Sequence, residues 1–243
     1  MKKSTLPTSF ISTLAVLSML GAATPLTLAA GSTAATQAAT LAAVQTKGNI
    51  DITARTTSLT GLIAKVNAAT KLSASQKSSL TAEMQTEVTS LTALKAKLDA
   101  DTDVPTARAD FQTIFSQHYI YAFYLPRVER IITADDEGSV VTTLTTLATS
   151  LQGYITQAKT SGKDVTILQS KLSDLQTKTA DANTQSQSVL ASLVPLTAAG
   201  YPADKATVQG AATPLKTGRS DLETARTDAK TIVASLKKLL NLK

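Results

Sequence analysis

The chain has 243 residues, of which 43% are hydrophobic and 17% charged, with a formal net charge of +6. That length allows one or two domains with a real core, and the regular spacing of its apolar residues excludes intrinsic disorder. There is no cysteine, which excludes disulfides and thiolate chemistry, and Lys and Arg are interleaved with Asp and Glu rather than run together, which argues against nucleic-acid binding.

The N-terminus has the form of a secretory signal. Lys2 and Lys3 supply a charged start, an apolar stretch runs from Phe10 to Ala23, Pro25 breaks it, and small residues around Ala29 and Ala30 offer cleavage sites. The apolar stretch is short for a membrane span of ~20 residues, so cleavage is expected over retention as an anchor. Without a cysteine after it, no lipid attaches there, and no second apolar run would hold the mature chain in a membrane. The expected domains are a signal over 1–30, a flexible Ala/Thr-rich spacer over 31–47, and a helical bundle over 48–243. Export leads to the periplasm, the cell surface or the exterior, where this chain must fold on its core alone.

From Asn49 the apolar period is helical. Ile52, Leu59, Leu62, Ile63 and Val66 share one face. After a short connection at Lys71-Leu72-Ser73, a second stripe runs through Leu80, Met84, Val88, Leu91, Leu94 and Leu98. The acidic turn Asp99 to Asp103 ends it, and Pro105 suits the first turn of a third helix.

That third helix carries six of the nine aromatic residues: Phe111, Phe115, Tyr119, Tyr121, Phe123 and Tyr124, with the single histidine, His118, among them. It is apolar almost all round, which predicts a central helix with Phe115 in the core, and Pro126 is expected to kink it. Tyr124, followed by Arg127 and Arg130, falls on the least apolar sector and is expected to be partly exposed. His118 is expected to be buried, neutral and hydrogen-bonded to a neighbour.

Asp135 to Gly138 predicts a break. A fourth stripe of Val141, Leu144, Leu147, Leu151, Tyr154, Ile155 and Ala158 follows, ending at Ser161-Gly162. A fifth, capped by Asp164, holds Val165, Leu168, Leu172 and Leu175, and resumes with Val189, Leu190 and Leu193. Its middle positions are Thr179, Ala182 and Ser186, which fit either a close helix–helix approach or a weakly packed waist. A turn from Pro195 to Pro202 leads to a last helix, irregular at Gly210, Pro214 and Gly218, with Leu215, Leu222, Ala229, Val233, Leu236 and Leu240 inward.

The expected fold is all-α: an elongated antiparallel bundle of about six helices around the aromatic-rich one. The apolar repeat lacks sustained e/g charge pairing, so an intramolecular bundle is preferred over a coiled-coil dimer.

Two segments, Lys71-Leu72-Ser73 through Asp103 and Arg219-Ser220-Asp221-Leu222-Glu223-Thr224-Ala225-Arg226 with Asp228-Ala229, resemble a family of exported helical proteins from small-genome, uncultivated bacterial lineages. The resemblance covers most of the chain after residue 48. It implies export and a helical fold, and brings no chemistry. Pro214 and Gly218 depart from the smoother final helix expected of that family.

Candidate chemistry is sparse. One histidine and no cysteine leave little for zinc, and His118 has no acid or nucleophile near it in sequence. Asp99, Asp101, Asp103 and Asp110 echo a calcium loop, but Val104 stands where such a loop has Gly, and helix capping explains the same residues. No metal, no cofactor and no catalytic residue is expected. Arg219, Glu223 and Arg226 suit a solvated ion-pair network. The function expected is that of a non-enzymatic exported scaffold that meets a protein or envelope partner. The alternative is a small-molecule-binding module with a pocket beside residues 111–125, where Tyr119, Tyr121 and Tyr124 are the candidate contacts to ligand or partner.

Overall fold

The computed structural model describes residues 34–241; the expected signal over 1–30 and its expected cleavage site lie outside them. Among the described residues there are helices and no strand. Five helices are long: α1 (Ala34–Ala68), α2 (Ala74–Ala100), α4 (Leu125–Thr160), α5 (Thr166–Leu193) and α7 (Ala212–Leu239). Two are short: α3 (Val104–Ser116) and α6 (Lys205–Gly210). None is long and apolar enough to cross a membrane.

The segment expected to be a spacer is helical from Ala34. Its alanines have the highest helix propensity, and no apolar stripe is needed to keep it there. Gln45 Nε2 donates to the carbonyls of Leu98 and Asp101, at 3.0 and 3.1 Å, which fastens this stretch to the end of α2. Gly48 is buried against the Leu98, Phe111 and Ile114 side chains, and a Cβ there would collide with Leu98.

At the other end of this pair, Lys77 Nζ donates to the Asn67 carbonyl, so α1 and α2 run in opposite directions. Ser73 opens α2 with a capping box: its hydroxyl accepts from the Gln76 N–H, and the Gln76 side chain accepts from the Ser73 N–H. The loop before it is held from a distance. Buried Asp135 of α4 accepts from the backbone N–H groups of Thr70, Lys71 and Leu72.

Asp135 to Gly138 is therefore not a break. All four residues lie inside α4, and three of them are used: Asp135 holds the loop, Glu137 is buried, and Gly138 leaves room for the Lys71 side chain, whose Cγ would sit 3.2 Å from an added Cβ; Asp136 faces outward. The single kinked aromatic helix is also corrected. α3 ends at Ser116, residues 120–124 form one wide π turn, and α4 starts at Leu125. Pro126, without an N–H, fits the first turn of α4, where no partner is missed. The preceding turn relaxes to longer bonds, from the Tyr124 N–H to the Tyr119 carbonyl and from Leu125 to Ile120.

Two apolar clusters form. The first joins α1, α2, Ile114, Ile120, Phe123, Tyr124 and the start of α4 to the end of α5 and Val208, Ala211 and Leu215. The second joins the remainder of α4, α5 and α7. α4, with 36 residues and a length of about 54 Å, runs through both. Lys171 pairs with Asp228 at 2.7 Å and Lys178 with Asp221 at 2.9 Å, so α5 and α7 also run in opposite directions. Between the clusters lies a polar waist. Ser186 donates to Glu137 Oε2 at 3.1 Å, and Gly218 faces the same oxygen and the Ala182 carbonyl. Thr179, Ala182 and Ser186 are all buried, so this part of α5 is a close helix–helix approach.

Candidate interaction surface around the aromatic segment

The aromatic segment has two sides with different fates. On the inner side, Ile120 and Phe123 are fully buried and Tyr124 is 2% exposed. Burial, reinforced by the Glu83 and Glu87 carboxylates, pushes the pKa of the Tyr124 hydroxyl far up. Tyr124 is thus core, against the expectation of a partly exposed ring.

The reason is Arg127. Its guanidinium is 1% exposed and fully engaged: Nε donates to the Leu193 carbonyl, Nη2 to the Val194 carbonyl, each at 2.9 Å, and Nη1 to Glu83 Oε2 at 2.8 Å. It also lies 5.1 Å from the Phe123 ring centre. A cation at the carbonyl end of α5 satisfies groups that the helix leaves open and meets the negative end of its dipole. With the cation turned inward, Tyr124 turns inward beside it.

His118 is buried as expected, and its partner is Glu87, whose Oε1 lies 2.7 Å from Nδ1. Tyr119 is half-buried and stacks on Tyr201, with ring centres 4.7 Å apart; Tyr201 in turn meets Phe123 at 6.0 Å. The structure therefore links Tyr119 to Tyr124 through Tyr201 and Phe123, while Tyr121 lies apart on the outer side.

On that outer side, Phe115 is 49% and Tyr121 48% exposed. Phe115 is thus surface, not core. The two rings flank the Arg55 guanidinium of α1, whose carbon lies 4.7 and 5.1 Å from their centres. Arg55 itself is 6% exposed. It donates through Nη1 to the Asp51 carbonyl at 3.0 Å, and its Nε has no hydrogen-bond partner. Phe111 packs edge-on to Phe115 at 5.2 Å, and Lys47 lies over Phe111 at 5.5 Å. The result is a ladder of alternating cations and rings along the α1–α3 seam: Lys47, Phe111, Phe115, Arg55, Tyr121. Each contact is a cation–π or aromatic pair of modest strength, about 0.5–1.5 kcal/mol.

The acidic turn is spent on structure. Asp103 caps α3 by accepting from the Thr106 N–H, Asp99 accepts from Lys95 and Asn49, and Asp110 pairs with Lys97. Burial and the nearby Asp110 push the Asp101 carboxyl upward. Among the described residues no group of three His, Cys, Asp or Glu is placed to hold a metal ion. Arg219, Glu223 and Arg226 form no ion pairs with one another; Arg219 instead lines a groove against α4.

Neither Arg127 nor Arg55 was identifiable as buried from the sequence, since the carbonyls and carboxylate that hold Arg127 and the rings that cover Arg55 lie on other elements. The one local signal was the run of aromatics at a spacing that puts rings on both sides of α3 and the π turn. No family model matches the chain, and comparison with curated proteins and with solved structures gives no match.

Proposed function

We propose that this chain is a non-enzymatic, exported scaffold of antiparallel helices that works at the cell envelope or surface by holding a protein partner on the cation–aromatic ladder. The observation that carries this reading is the pair of half-exposed rings, Phe115 and Tyr121, fixed on either side of a buried guanidinium. Rings held in this way lose little freedom on binding, and aromatic and Arg side chains dominate the energetics of protein interfaces. The Lys2–Ala30 pattern supports export.

The test is made in cells of the native host. The wild-type chain, with a mature N-terminus near Ala30 or Gly31 by mass spectrometry, should be retained in the envelope fraction. The double variant Phe115→Ser/Tyr121→Ser should be released from it while keeping the wild-type circular dichroism. Full-length protein found only in the cytosol, or equal retention of the two chains, would overturn the proposal.

A further inference from the structure

The geometry points to a second binding site, a groove between α4 and α7 that takes a phosphate-bearing ligand. The groove encloses about 360 Å³ and its rim carries Arg130, Lys216 and Arg219, with Glu129 as the only carboxylate. That carboxylate is already engaged, by Lys65 of α1. Asp221 on α7 is held by Lys178. Lys216 and Arg219 are exposed and make no ion pair or hydrogen bond among the described residues.

Arg219 acts on Glu137, buried behind Gly218, and Glu223 stands one helical turn from it on α7. Burial pushes the Glu137 carboxyl above its ordinary range, and its Oε2 is taken by the Ser186 hydroxyl. Arg130 is already oriented, because its Nη1 donates to the Pro126 carbonyl at 2.8 Å, leaving its other N–H groups directed elsewhere. Three cations from two helices on one concave surface, with Glu129 as the only acid in the lining and already paired, suit an oxyanion with several acceptor oxygens. The floor is apolar, formed by Pro126, Ala212 and Leu215, so the carbon part of a phosphate ester also has a seat. This inference does not depend on the aromatic ladder, which lies on α1, α3 and the π turn.

Calorimetry at low salt on the purified chain tests it with inorganic phosphate and phenyl phosphate, and sedimentation with phosphatidylglycerol and phosphatidylcholine vesicles tests a lipid source. Phenyl phosphate should bind more tightly than phosphate, and Lys216→Gln/Arg219→Gln should weaken both by about tenfold or more. Both side chains are exposed, so helix content should not change, and any fall in the ligand-free melting temperature should appear equally in Arg219→Gln alone, which removes the charge acting on Glu137. Binding to phosphatidylglycerol vesicles alone, lost in the same double variant, would also support the site and would identify a lipid headgroup as the source. Absence of binding to every probe, or binding unchanged in the double variant, would overturn it.

Discussion

Position within one short segment decides whether an aromatic residue holds the fold or faces outward. Tyr124 and Phe115 are nine residues apart, yet one ring is 2% exposed and the other 49%. Tyr124→Ala removes a buried ring and leaves a cavity beside Phe123 and Arg127, so it should cost about 3–5 kcal/mol in urea denaturation. Phe115→Ala gives up a half-exposed ring and should cost under about 1.5 kcal/mol. This order is the reverse of what a helical wheel gives. The wheel assumes one unbroken helix, and here the chain restarts in a π turn that rotates Tyr124 inward. Arg127 also cannot be read as buried from its own neighbourhood. The carbonyls of Leu193 and Val194, which make its burial tolerable, are more than sixty residues away.

Among the elements, the stripes were the legible part, except that Tyr154 and Val233, expected to face inward, are exposed. Leu80, Met84, Leu91, Leu94 and Leu98 are all buried, as their spacing requires. The capping of α3 by Asp103 with Pro105 in its first turn, and the independence of Thr179, Ala182 and Ser186 from the usual Leu stripe, were also visible in the sequence. The start of α1 was not, because an Ala/Thr run carries no amphipathic period whether it is helix or coil. Nor was the continuity of α4, since Asp135 and Glu137 look like turn residues until their partners on other elements are known. The glycines of α1 separate propensity from packing. Gly61 is exposed with open space around it, so Gly61→Ala should raise stability by roughly 0.5–1 kcal/mol. Gly48→Ala gains the same propensity but drives a methyl into Leu98, and should be net destabilising by about 1–3 kcal/mol. Thermal melts of the two variants should shift in opposite directions.

At the scale of the whole molecule, two apolar cores meet at Glu137, and that residue ties stability to pH. Its carboxyl is pushed above the ordinary value of 4.5, first by burial, while the Ser186 hydrogen bond and Arg219 pull it back. The folded state therefore binds the proton more tightly than the unfolded state does. The stabilisation is complete below the unfolded value and is lost as pH rises through the raised folded one. Glu137→Gln keeps the shape and can still meet Ser186, so at pH 7 the variant should melt higher than wild type. The gap should close as pH falls below 4.5. An unchanged gap across that range would mean that Glu137 titrates normally.

The aromatic segment has two sides: the inner one builds the first core, and the outer one exposes Phe115 and Tyr121, the rings proposed to meet a partner. The most direct measurement places a photo-cross-linking phenylalanine analogue at Tyr121, and in a second chain at exposed Gln176 on α5, with both expressed in the native host. Irradiation of intact cells should give a discrete adduct from position 121 in the envelope fraction and none from 176, with unchanged folding in both. Equal adducts from the two positions, or none from 121, would contradict a partner-binding role for the ladder.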